Sequence, residues 1–146
     1  MRTKLTASLL ACLFVSACGA HSGQQALQEA LEAHTGEASV MLRVGDVYPT
    51  ATEVLLVCPY AGHVANDALG RQVFGNLEDA QDANNWIVTE QPNGTVSKIK
   101  LERSQIDLCG VDSQPVLALS PDAQLEFEGR DGHPIASLKF LSLIHI

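Results

Sequence analysis

The chain reads as a small α+β domain, an antiparallel or mixed sheet of about five or six strands with two or three helices packed on it. Three stretches lead to that reading. Val54-Leu55-Leu56-Val57-Cys58 is an unbroken apolar run stopped by Pro59, and a helical pattern ending at Gly70 follows within a few residues. Trp86 to Thr89 and Thr95 to Leu101 flank Gln91-Pro92-Asn93-Gly94, a hairpin signature because Asn-Gly accepts positive φ. Gln24 to His34 sets Ala26, Leu27, Ala30, Leu31 and Ala33 on one helical face.

At the N-terminus, Arg2 and Lys4 precede an apolar run from Leu5 to Val15 broken only by Thr6 and Ser8, the charged start and apolar middle of an export signal. The run is shorter than the roughly 20 apolar residues that span a bilayer as a permanent helix. Val15-Ser16-Ala17-Cys18 closes it. This segment resembles a bacterial lipoprotein signal, whose lipobox is an aliphatic residue and two small residues before Cys. The resemblance implies a signal peptide over 1–17, cleavage before Cys18, diacylglycerol on its sulfur, and lipid anchorage at the extracytoplasmic face of the cell membrane. One acyl chain holds a protein only marginally, at about 0.8 kcal/mol per buried methylene, so the two or three chains of a lipoprotein make attachment stable. Residues 18–23 are then a lipidated cysteine and tether, and 24–140 one globular domain.

The first helix is expected to end near Thr35-Gly36 and to pack on the sheet. Glu37 to Val44 is read as a strand, with Val40, Leu42 and Val44 on one side, and Gly45 to Thr50 as a turn or loop. The run from Val54 to Cys58 has the continuous apolarity of a strand buried on both faces. After the turn at Tyr60 to Gly62, Val64, Ala65, Ala68 and Leu69 fall at helical spacing, and Gly70 suits a C-terminal cap. Arg71 to Ala83 is mixed, with Phe74 and Leu77 as apolar anchors; Glu78, Asp79 and Asp82 lack the Asp/Asn ladder and closing Glu of a calcium loop, so a solvated face is expected. Val96, Ile99 and Leu101 do not share one alternation, which predicts a bulge or an offset register in the hairpin. Arg103 to Cys109 reads as a short helix or turn. Val116 to Leu119, Leu125 to Glu128 and Ile135 to Phe140 read as strands, the last two joined by a turn at Arg130 to Pro134.

Removal of Arg2 and Lys4 with the signal leaves seven of nine Lys and Arg against 17 Asp and Glu, a net charge of −10. Such a surface repels phosphate backbones and anionic lipid, which argues against nucleic acid as a partner and assigns membrane binding to the acylated Cys18 alone. Leu141 to Ile146 is the translation of the DNA string CTG TCT CTT ATA CAC ATC, which resembles the transposon end used in preparing sequencing libraries. Residues 141–146 are accordingly expected to be adapter read-through.

Cys12 leaves with the signal and Cys18 takes lipid, so Cys58 and Cys109 remain as an even pair in an oxidising compartment, where a disulfide is expected. Closing that loop is worth about 4 kcal/mol in the chain-entropy model. An alternative begins from Val54 to Leu69, where an apolar strand, Cys58-Pro59-Tyr60 and a helix resemble the active-site region of glutaredoxins and other thioredoxin-fold proteins, with Ala61 in place of a second cysteine. The resemblance implies a thiol-disulfide oxidoreductase whose nucleophile is Cys58. His63 is a candidate base beside it, although a solvated loop histidine is the simpler reading, and Tyr60 and Trp86 are expected in the core. Hydrolase, zinc-protease, Cys-x-x-Cys, phosphate-loop and dinucleotide motifs do not occur, so no cofactor or metal is expected.

Taken together, the lipobox, the Ala-rich first helix and the strand ending in Pro-Tyr before a helix ending in Leu-Gly are similar to short uncharacterised envelope lipoproteins of bacteria, actinobacteria among them. That resemblance carries no activity. The expected function is non-enzymatic, an envelope interaction, accessory or binding module meeting a protein or small ligand near Pro59, Tyr60 and His63.

Overall fold

A computed structural model describes residues 23–75, 82–110, 113–130 and 133–140. The signal segment, Cys18, Leu77, Glu78, Asp79 and residues 141–146 lie outside the described residues.

The described residues form one α+β domain of helices α1 (Gly23–Glu32), α2 (Val44–Val47) and α3 (Gly62–Leu69) and eight strands. The strands are β1 (Ser39–Arg43), β2 (Glu53–Val57), β3 (Asn84–Glu90), β4 (Val96–Glu102), β5 (Ile106–Asp107), β6 (Val116–Leu119), β7 (Gln124–Arg130) and β8 (His133–Phe140). They are divided between two four-stranded sheets, ordered β1-β7-β8-β5 and β4-β3-β2-β6. The second is wholly antiparallel; the first is mixed, because β5 runs parallel to β8 through Ile106 and Ala136.

Two sheets rather than one follow from where each face finds cover. Val40, Leu42, Leu125 and Phe127 of the first sheet share a core with Val54, Leu56, Ile87 and Leu101 of the second, and Leu27 of α1 joins them. The outer face of the second sheet is covered as well, by Ala61, Ala65 and Phe74 over Leu55, Val57, Trp86 and Val88. The second sheet is therefore apolar on both sides, and β2, paired on both edges, is the continuous apolar run of the sequence.

The same arrangement explains the hairpin. The β3–β4 register is unbroken from Asn84 opposite Glu102 to Glu90 opposite Val96, so the expected bulge is not there. Ile99 and Leu101 turn to the inter-sheet core and Val96 to the opposite face, each finding apolar cover. The connection is as anticipated: Gly94 sits at φ 78°, its N–H donates to Gln91, and Asn93 Oδ1 accepts from Thr95 N at 2.9 Å. Among the described residues, a register shift falls instead in the β7–β8 hairpin between Glu128 and Arg130.

One segment differs from the sequence reading, and a second keeps its expected turn but adds a strand. Gly45 to Thr50 begins with α2, a single turn pinned from outside: Val44 N donates to Ala123 O at 2.9 Å and Gly45 N to Pro121 O at 2.7 Å. A Cβ on Gly45 would lie 2.9 Å from that Pro121 oxygen, so glycine is required for the approach. Arg103 to Cys109 is a turn followed by β5. Its course is set by Asn85, a buried amide that donates to Leu101 O (2.9 Å) and Ile106 O (3.1 Å) and accepts from Leu108 N (2.7 Å). Burying a side-chain amide is tolerable because all three bonds are made.

Candidate functional site

β2 ends at Val57, and Cys58 then leaves the sheet toward Cys109, which follows β5. The two are joined as a disulfide with a Cα–Cα distance of 5.7 Å, linking the central strand of one sheet to the chain leaving the edge of the other. Cys109 is buried and Cys58 half-buried. Gln114 O lies 3.6 Å from the Cys58 sulfur, which in the bonded state has no proton to donate.

The Cys109 end is held by a charged brace. Arg103 places Nε and Nη2 on the two oxygens of Asp107, both at 3.0 Å, and Nη2 also donates to Cys109 O at 3.2 Å. Asp107 Oδ1 accepts from Cys109 N at 2.9 Å, so both backbone groups of that cysteine are engaged. The hydrogen bonds that Arg103 donates to Asp107 raise its already high pKa, keeping the fork charged at any ordinary pH.

Pro59, Tyr60 and His63 are brought to one loop and the first turn of α3. Cys58 O accepts from Ala61 N at 3.2 Å, which closes the turn, and α3 starts only after the N-cap Ala61. Tyr60 has φ 65°, the one non-glycine residue at positive φ among the described residues. Its ring is 56% exposed, contrary to the core position expected for it, and Val64 beside it is 39% exposed. His63 is also exposed. Trp86 does take its expected core position, edge-on to Phe74 with ring centroids 5.5 Å apart.

Sequence reasoning did not anticipate a groove of about 760 Å³ bounded by the C-terminal half of α1, the start of β1, the turn before β5 and the end of β7. Four segments distant in sequence make it, and no local motif marks any of them. Leu31, Val40, Ile106 and Phe127 line its floor. Among the described residues, no three His, Cys, Asp or Glu side chains gather as a metal site, and no helix is long and apolar enough to cross a membrane.

Compared with protein-family models, curated proteins and solved structures, the chain matches none.

Proposed function

We propose that this protein is a non-enzymatic interaction module of the bacterial envelope, anchored at the extracytoplasmic face of the cell membrane through an acylated Cys18 and meeting a protein or small ligand through Pro59, Tyr60 and His63. The observation that carries the contact surface is the backbone of Tyr60. A non-glycine residue in the left-handed region costs about 1–2 kcal/mol, and such strain persists where the surroundings impose it and concentrates at functional sites. Here it turns a large aromatic ring into solvent between Pro59 and Val64. Burial of such a ring in a partner is the kind of contact that dominates interface energies.

The test uses the full, membrane-bound chain with a photo-reactive residue at position 63. Tyr60→Gly relieves the backbone strain, so the urea midpoint should rise by the equivalent of about 1 kcal/mol, while cross-linking to an envelope partner should fall several-fold. Cross-linking at the wild-type yield would sink the assignment of the surface. The anchor has its own readout: Cys18→Ser should release the protein from membranes, and unchanged retention rejects lipidation.

The second reading, thiol-disulfide exchange at Cys58, is favoured by the half-buried rather than sealed setting of that residue. A catalytic pair is reduced readily in the native state and leaves a thiolate reactive at neutral pH, whereas a structural bridge resists until unfolding.

A further inference from the structure

We propose that the groove between α1, β1 and β7 binds a small amphiphilic cation, an organic ammonium with one narrow apolar group. The site is separate from the Pro59–His63 surface, and its volume of about 760 Å³ lies within the range of small-molecule sites.

Its walls select the ligand by two features. The floor is apolar but nearly closed: Phe127 is 2% and Ile106 4% exposed, while Leu31 of α1 is only partly buried. Leu31 is thus the floor side chain with apolar surface still open to a ligand. The rim is anionic, with Glu32 at the end of α1, Glu37 before β1 and Glu128 on β7, and no Lys or Arg stands among the described lining residues. Glu32 and Glu37 lie on either side of the turn at His34 to Gly36 in the chain, and His34 Nδ1 and Glu37 Oε1 are 3.0 Å apart. Glu37 remains 57% exposed beside this contact, with acceptor capacity to spare.

A neutral apolar ligand on this floor would strip water from the rim carboxylates without replacing it, and an anion would add repulsion. An ammonium at the rim with its apolar group on Leu31 offsets that desolvation. The charge of −10 outside the signal raises the local concentration of cations and favours the same sign of ligand.

The experiment titrates the full chain, held in a nonionic maltoside detergent, with benzyltrimethylammonium and follows amide and methyl resonances by NMR. Benzylsulfonate supplies the same ring with opposite charge, and tetramethylammonium the cation without the ring. Saturable shifts are expected at Leu31, Val40 and Ile106 with benzyltrimethylammonium, none with benzylsulfonate, and binding at least about fivefold weaker with tetramethylammonium. Glu32→Gln with Glu37→Gln should weaken binding about tenfold, about threefold for each exposed carboxylate. Both substitutions are on the surface, and an unchanged spectrum elsewhere shows that the fold is kept. Equal shifts from benzylsulfonate, equal affinity for tetramethylammonium, shifts scattered over the acidic surface, or no saturation would each overturn the proposal.

Discussion

The Tyr48 ring is buried beside the first turn of α1, and its hydroxyl donates to Gly23 O at 3.3 Å. Burial pushes the hydroxyl's pKa well above its ordinary range, because a phenolate there would lose its hydration. A group whose folded pKa is raised contributes stability that is fully present below its unfolded value, about 10, and is lost as pH climbs from there toward the folded value. Each pH unit in that window should remove up to about 1.4 kcal/mol. Urea midpoints measured between about pH 8 and pH 11 should therefore fall for the wild type and fall much less for Tyr48→Phe. An equally steep fall in the variant would place the alkaline sensitivity elsewhere. Tyr60 is the opposite case: the same side chain, exposed to solvent, on a backbone at positive φ. Nothing in the residue type separates the two. Tyr48 precedes Pro49 in a stretch that sequence alone reads as a loop, and Tyr60 opens a turn although its ring is expected in the core.

Among the elements, α3 does more than cover the second sheet. It ends where expected, with Gly70 in the left-handed region at φ 63° accepting the role of cap, and Arg71 then reaches the hairpin through Glu90 Oε1 (2.6 Å) and Gly94 O (2.7 Å). Asn66 at its centre grips the following segment: Oδ1 accepts from Val73 N (2.7 Å) and Phe74 N (2.9 Å), and Nδ2 donates to Phe74 O (3.0 Å). That clamp presses the Phe74 ring on Trp86, with the Lys98 ammonium 4.8 Å from the Phe74 centroid. Loss of three part-buried hydrogen bonds in Asn66→Ala should destabilise by about 2–3 kcal/mol. Trp86 is the sole tryptophan, so its emission should move to the red as Phe74 lifts away. Asn66→Asp keeps the two accepting bonds and should restore most of the blue emission; if it behaves as the alanine variant does, the clamp is not what seats Phe74. Phe74 is legible as an anchor from its apolarity, but its holder is not, because an asparagine in a helix carries no mark of what it binds.

At the scale of the molecule, the Cys58–Cys109 bond spans 51 residues of chain and ties the two sheets together. Its removal should cost about 4 kcal/mol, the chain-entropy value for a loop of that length. The expected outcome is a native protein whose two cysteines resist alkylation under mild reductant and whose urea midpoint drops sharply once they are reduced after unfolding. Rapid native alkylation of Cys58 at neutral pH would instead support thiol chemistry and remove the structural reading of the bond. The Arg103–Asp107 brace belongs to the same unit, since it engages both the N–H and the C=O of Cys109.

The amino-acid sequence by itself determined the α+β class, the doubly covered strand β2, the hairpin turn at Gly94, the cap at Gly70 and the partnership of the last two cysteines. Each depends on neighbours a few residues apart or on a count, and local physics is complete at that range. The tertiary structure alone decided that the strands separate into two sheets, that β5 lies parallel to β8, that Val96 and Ile99 face different cores without a bulge, and that α1 and β7 enclose a groove with an acidic rim. A two-residue period tells which side chains share a face, but not which face meets which. That choice belongs to pairings such as Leu42 with Leu125, which are distant in the chain and are settled only when both apolar faces of the second sheet have found their cover.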